Sequence, residues 1–266
     1  MIEESIEVGY IIIIGVMEED VMFTGSVTVD GVELPEAFLG SAPFTAAPYF
    51  GHRSRLYEMD LKRRPENIAE VLMGAYDAGV RGFQIIPEGP VLEALGMAAD
   101  AGCRFILMGT LREGHLEEDL GTLMDLGAGA VLLDEHYTDL LPAGEVAEIL
   151  DDIEVLSGLI TTMPGATTRR LIDEGVDNFQ LYMIPLNRLG YMMDFPVFLE
   201  EERTKLRDLL LELGKVVVAE KVLAAGILSP GEAFKFLEGV DYVDMVAVGA
   251  ASVPEVKETF GELFRL

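Results

Sequence analysis

The chain contains no tryptophan, one cysteine and three histidines. A single cysteine, Cys103, excludes any internal disulfide and any cysteine-cluster metal site. It opens the apolar run CRFILM and reads as a small core residue, which points to a reducing compartment, the cytoplasm. His52, His115 and His136 stand in no recognised metal-ligand spacing, so no metal is expected. Long apolar runs are missing as well. Residues 11–14, the most hydrophobic spot near the N-terminus, fall far short of the roughly 20 residues that span a bilayer. The glutamates before them do not resemble the basic start of a signal peptide. Positive charge is scarce: 19 Lys and Arg face 47 Asp and Glu, for a formal charge of −28. Such a surface repels phosphate backbones and anionic lipid, so neither nucleic acid nor membrane is an expected partner.

The apolar content is high: half of the 266 residues are hydrophobic and the mean hydropathy is +0.31. Together with the acid excess this describes a well-filled interior inside an anionic shell. The acids recur in every helical stretch rather than in one block, the pattern of a salt-adapted or thermophilic surface more than of a docking patch.

Residues 1–34 differ in pattern from the rest of the chain. Two β-rich runs, 8–16 and 21–29, flank Met17-Glu18-Glu19-Asp20, and the second ends in Asp30-Gly31, a hairpin turn signal. With no helix between them these strands cannot be parallel neighbours, so a small meander over one end of the fold is expected. From residue 35 the pattern becomes strand then helix, repeated eight times. The expected strand ends are Ser41, Ile86, Met108, Asp134, Thr162, Tyr182, Glu220 and Gly249. An acid-then-glycine stop recurs ahead of the apolar runs, at Gly79, Gly102, Gly127 and Gly175. Length and repetition predict an α/β fold, a (β/α)8 TIM barrel over 35–266 with the meander covering its floor.

In that fold ligands bind at the C-terminal ends of the strands. Lys221, beside Glu220 at the end of an otherwise apolar strand, is either ion-paired or functional, as an anchor for an anion or a Schiff-base amine. Asp134 and His136 at the fourth strand end could supply acid and base, or simply begin a solvated loop. The longest connection, 42–64, carries His52 and Arg53 and could close over a ligand. Glu88, Gln180 and Tyr182 complete the expected substrate contacts. Gly249, Ala250 and Ser252 precede a helix start where backbone N–H groups could approach a phosphate, although the same residues make an ordinary tight turn.

Four stretches in order, VDGVELPEAFLGSAPF, NFQLYMIPLNR, VVVAEKVLAAGIL and VAVGAASVPEVKETF, resemble the first, sixth, seventh and eighth strands of an aldo-keto reductase. The resemblance implies the barrel with its N-terminal hairpin. It also implies a nicotinamide cofactor, NAD(P), with Gln180 at the position that contacts the nicotinamide ring and Lys221 matching a lysine of the seventh strand. The catalytic positions depart from it. Gln84 stands where the family has its Asp, Gly109 or Thr110 where it has its Lys, and Asp134 where it has its His, with His136 two residues late. Thr161-Thr162 replaces a Ser-Asn pair, and the basic residues that grip an adenosine 2′-phosphate are missing. The reading is therefore a barrel enzyme with a rebuilt site for a small anionic metabolite, compatible with a homo-oligomer. The alternatives are a nicotinamide-dependent oxidoreductase with another proton donor, and a non-catalytic binding or assembly subunit.

Overall fold

The computed structural model describes residues 22–265. The expected strand at 8–16 lies outside the described residues. Two short antiparallel strands come first, β1 (Ser26–Val29) and β2 (Val32–Pro35), paired with Val29 opposite Val32. Asp30 (φ 48°) and Gly31 (φ 85°) both take positive φ between them. A two-residue turn of this kind matches the right-handed twist of its strands, which is why Asp-Gly suits it.

Eight parallel strands then close into a ring: β3 (Ala37–Gly40), β4 (Gly82–Ile85), β5 (Ile106–Leu111), β6 (Ala130–Leu133), β7 (Ser157–Ile160), β8 (Leu181–Pro185), β9 (Val216–Glu220) and β10 (Met245–Gly249). Sequence neighbours pair throughout, and β10 pairs back onto β3 with Val246 opposite Ala37. The barrel is the expected one. Its helices are α1 (His52–Tyr57), α2 (Pro65–Asp77), α3 (Gly89–Asp100), α4 (Leu116–Asp125), α5 (Glu135–Leu140), α6 (Ala143–Asp151), α7 (Pro164–Glu174), α8 (Glu200–Leu213), α9 (Pro230–Leu237) and α10 (Val253–Phe264). None of the described helices is long and apolar enough to cross a membrane.

Alternation along each strand divides the core in two. Phe83, Ile85, Val131, Leu133, Tyr182 and Ile184 face the helices, while Phe38, Met108, Leu132, Met183, Val218 and Met245 fill the barrel. Phe38 lies so close to Gly82 that a Cβ there would come within 2.6 Å of its ring, so glycine makes room for the largest interior side chain. The hairpin closes the floor: Val29 and fully buried Leu34 belong to the interior cluster, and a Cβ on Gly129 would touch Leu34 at 3.3 Å. Shortening Leu34 to alanine removes the plug and leaves a void, so Leu34→Ala should cost about 2–5 kcal/mol in urea unfolding with an unchanged m-value.

Candidate functional site

The C-terminal mouth of the barrel holds a cavity of about 400 Å³. Its base is the strand ends Gly40, Gln84, Ala247 and Gly249 together with Glu220. One wall is the β9–α9 loop from Lys221 to Pro230, another is Glu255, Glu258 and Thr259 of α10, and Tyr49, Phe50, Arg53 and Tyr57 of the β3–α2 connection roof it.

The polar centre is the Glu220–Lys221 pair. Glu220 is an inward position of β9, and the Lys221 ammonium bonds its carboxylate directly. The lysine side chain is only 7% exposed. It lies 5.3 Å from the centroid of the Tyr49 ring, within range of a cation–π attraction. Lys221 reaches this place through a backbone at φ 54°, a left-handed conformation that disfavours any residue with a Cβ. Ala224 and Ala225, just beyond, also have positive φ. Buried Asn187, after β8, supports the turn: its amide donates to the Lys221 carbonyl (3.3 Å) and to the Tyr191 carbonyl (3.0 Å), while its oxygen accepts from Tyr191 N (2.9 Å) and Leu189 N (3.2 Å). Strain retained next to a cavity is a mark of functional sites.

Around the pair the chemistry is aromatic and acidic. Burial, reinforced by the negative charge of Glu220, raises the pKa of the Tyr49 phenol well above the usual tyrosine range. Burial and then Glu255 raise that of Tyr57. Both phenols are therefore neutral hydrogen-bond donors at physiological pH. Gln84 donates to Thr110 Oγ1 at 2.7 Å in the barrel interior, so two positions that could have borne charge are closed into a neutral bond.

Several expected site residues lie elsewhere. Asp134 caps α5: it accepts from His136 N (3.0 Å), Tyr137 N (3.3 Å) and Glu113 N (2.7 Å), and burial raises its pKa. His136 turns outward to Glu113 at 2.9 Å. Neither borders the cavity, because the helix begins at Glu135 and the carboxylate is taken up by its N-terminus. Glu88 ion-pairs with Lys62 at 2.6 Å, and His52 is exposed; of the expected first-loop pair only Arg53 meets the cavity.

Gln180 precedes β8 at the opposite end of the barrel, where its side chain accepts from Ser157 N at 3.2 Å. Tyr182 is inside β8 rather than at its end. The strand runs on to Pro185, and alternation sends the ring into the helix layer, with its hydroxyl 3.0 Å from Thr168 Oγ1. Gly249 lines the cavity. Ala250 is buried without touching it, and Ser252 caps α10 by accepting from Glu255 N at 3.3 Å. Glu255 in turn accepts from Ala251 N at 2.8 Å, so that backbone N–H at the turn is paired with the chain's own carboxylate. Sequence reasoning passed over Tyr49, Phe50, Tyr57, Glu255 and Glu258; three aromatics within one long connection were the available signal. Among the described residues no group of three or more His, Cys, Asp or Glu side chains could hold a metal ion.

No family model and no curated protein matches the chain. Solved structures do. A Pseudomonas aeruginosa protein, crystallised as a candidate aldo-keto reductase, superposes with a TM-score of 0.63 at 16% identity, covering 94% of this chain and 98% of that one. An aldo-keto reductase complexed with NADPH gives 0.58 at 14% identity over 90% and 83%. One from Brucella melitensis gives 0.56 at 14% over 89% and 92%. At such identities the likeness is one of fold: the chain shares the (β/α)8 barrel of these structures.

The strained turn yields a direct comparison. Lys221→Gly and Lys221→Ala both delete the ammonium, but only glycine accepts φ 54° freely. The glycine variant should be the more stable by about 1 kcal/mol in chemical unfolding.

Proposed function

We propose that this protein is an enzyme on an aldo-keto reductase-like barrel whose site has been rebuilt around Glu220 and Lys221, and that it acts on a small anionic metabolite carrying a carbonyl group. One observation carries the reading: a lysine in a conformationally unfavourable turn, almost wholly enclosed, presented with a carboxylate to a cavity large enough for a metabolite. The Glu220 carboxylate offsets the cost of enclosing the ammonium, and a lysine at a cavity wall can act as a nucleophile once that carboxylate has taken its proton. Glu220 is placed to take the ammonium proton. The freed amine adds to the carbonyl carbon, and loss of the carbonyl oxygen as water leaves an imine. Arg53 at the cavity wall supplies the positive charge for the ligand's anionic group. Asp134 and His136 have no part in this scheme.

Reduction with borohydride in the presence of pyruvate, acetoacetate or glyoxylate should add the mass of the reduced adduct to the peptide containing Lys221. Lys221→Ala should abolish the adduct. Absence of any adduct with an unchanged Lys221→Ala phenotype would remove the covalent scheme.

A second reading, a nicotinamide-dependent oxidoreductase, is favoured by the NADPH held by one structural neighbour. It is also favoured by Tyr49, a phenol at the cavity wall with the Lys221 ammonium 5.3 Å from its ring centroid, as a candidate proton donor. With no tryptophan in the chain, NADH or NADPH emission can be followed without overlap. Enhancement that saturates, and weakens in Tyr49→Phe, supports this reading; no binding at about 1 mM cofactor, a weak-limit affinity, removes it.

A further inference from the structure

We propose that residues 48–60 form a hinged lid over the cavity, held shut by the Tyr191 hydroxyl on the Tyr49 carbonyl and by the Arg53 side chain against Gly226. The segment supplies the whole aromatic roof, so its movement sets how widely the cavity around Lys221 opens. It is stitched to itself. Tyr49 and Phe50 have ring centroids 4.5 Å apart, Phe50 meets Tyr57 edge-on at 5.0 Å, and Ser54 Oγ donates to the Ala46 carbonyl at 2.6 Å. To the rest of the molecule it is tied lightly. Among the described residues, no backbone–backbone hydrogen bond joins 48–60 to anything beyond its own flanks.

The catches are side chains. Tyr191 donates to the Tyr49 carbonyl at 2.8 Å. The Arg53 guanidinium lies so close to Gly226 that a Cβ there would collide with it. The Lys221 ammonium sits over the Tyr49 ring from below. Both ends have hinge character. Ala46 (φ 56°) and Gly51 (φ 60°) take positive φ at the start, and a π-helical turn, Glu58–Lys62, closes the segment. Such turns are rare and recur where helices serve function. The base is fixed: Leu61 is buried, Lys62 pairs with Glu88 at 2.6 Å and reaches the Thr45 carbonyl at 3.4 Å, and Asn67 donates to the Asp60 carbonyl at 2.7 Å. The outer face, with Leu56 and Met59 exposed, leaves room for the lid to lift.

A hinged segment opens by a sub-global route, cheaper than unfolding the barrel. Hydrogen–deuterium exchange of the ligand-free full chain reads this directly and does not depend on which reaction the site performs. Amides of residues 50–60 should exchange ahead of β3 and β10. Removing one hydrogen bond in Tyr191→Phe should speed their exchange about five- to tenfold, the usual net strength of such a bond, with the strands unaffected. Trypsin cleavage after Arg55 should rise in step. Arg53→Ala, on an exposed side chain, should act in the same direction and serves if Tyr191→Phe folds poorly. Equal protection in 50–60 and the strands, unchanged rates in the folded variant, or a uniform loss of protection everywhere would each overturn the lid.

Discussion

Closure of the parallel ring is the constraint on which everything else hangs. An open sheet leaves an unpaired edge on each of its two outer strands; here β10 returns to β3, and every strand of the ring has two partners. A closed ring has an inside that must be filled at crystal-like density and an outside that must be covered. The inside takes Phe38 against Gly82, Met108, Met183 and Met245, with Leu34 of the hairpin as its stopper. The outside takes the helices, each returning the chain for the next strand.

Closure also decides where chemistry can sit. Interior layers below the rim are apolar, and the Gln84–Thr110 hydrogen bond among them is satisfied within the protein. Charge is confined to the rim, where Glu220 and Lys221 border both the apolar interior and the cavity. Asn187 is the hidden support of that arrangement. Its four hydrogen bonds connect the β8–α8 loop to the Lys221 turn, and the same loop provides the Tyr191 hydroxyl that reaches the roof. Position of the lysine and position of the roof are thereby coupled through one loop.

The strong negative charge plays a different part. Surface carboxylates meet arginines in pairs such as Arg207–Asp241 (2.7 Å) and Arg169–Glu212 (3.4 Å), which are exposed and individually weak. At the cavity the same abundance has a local effect: Glu255 fills the N-terminus of α10 with the chain's own carboxylate.

The barrel is legible from the chain alone, because periodicity, glycine stops and the Asp-Gly turn are local signals that the ring simply reuses. The chain alone also determined that Lys221 ends a strand beside Glu220, since a lone charged pair after four apolar residues marks a strand end without tertiary help. Strand ends that lack such a mark slipped: β8 runs three residues past Tyr182, and the slip carries that side chain from the rim to the helix layer. Asp134 was legible as a polar strand end, but only the start of α5 decided that its carboxylate would cap a helix. Tyr49, Phe50 and Tyr57 were visible only as three aromatics within one long connection, which has no periodicity to place them. Their position depends on contacts remote in sequence, such as Tyr191 to Tyr49 (separation 142), and such contacts exist only once the ring has closed.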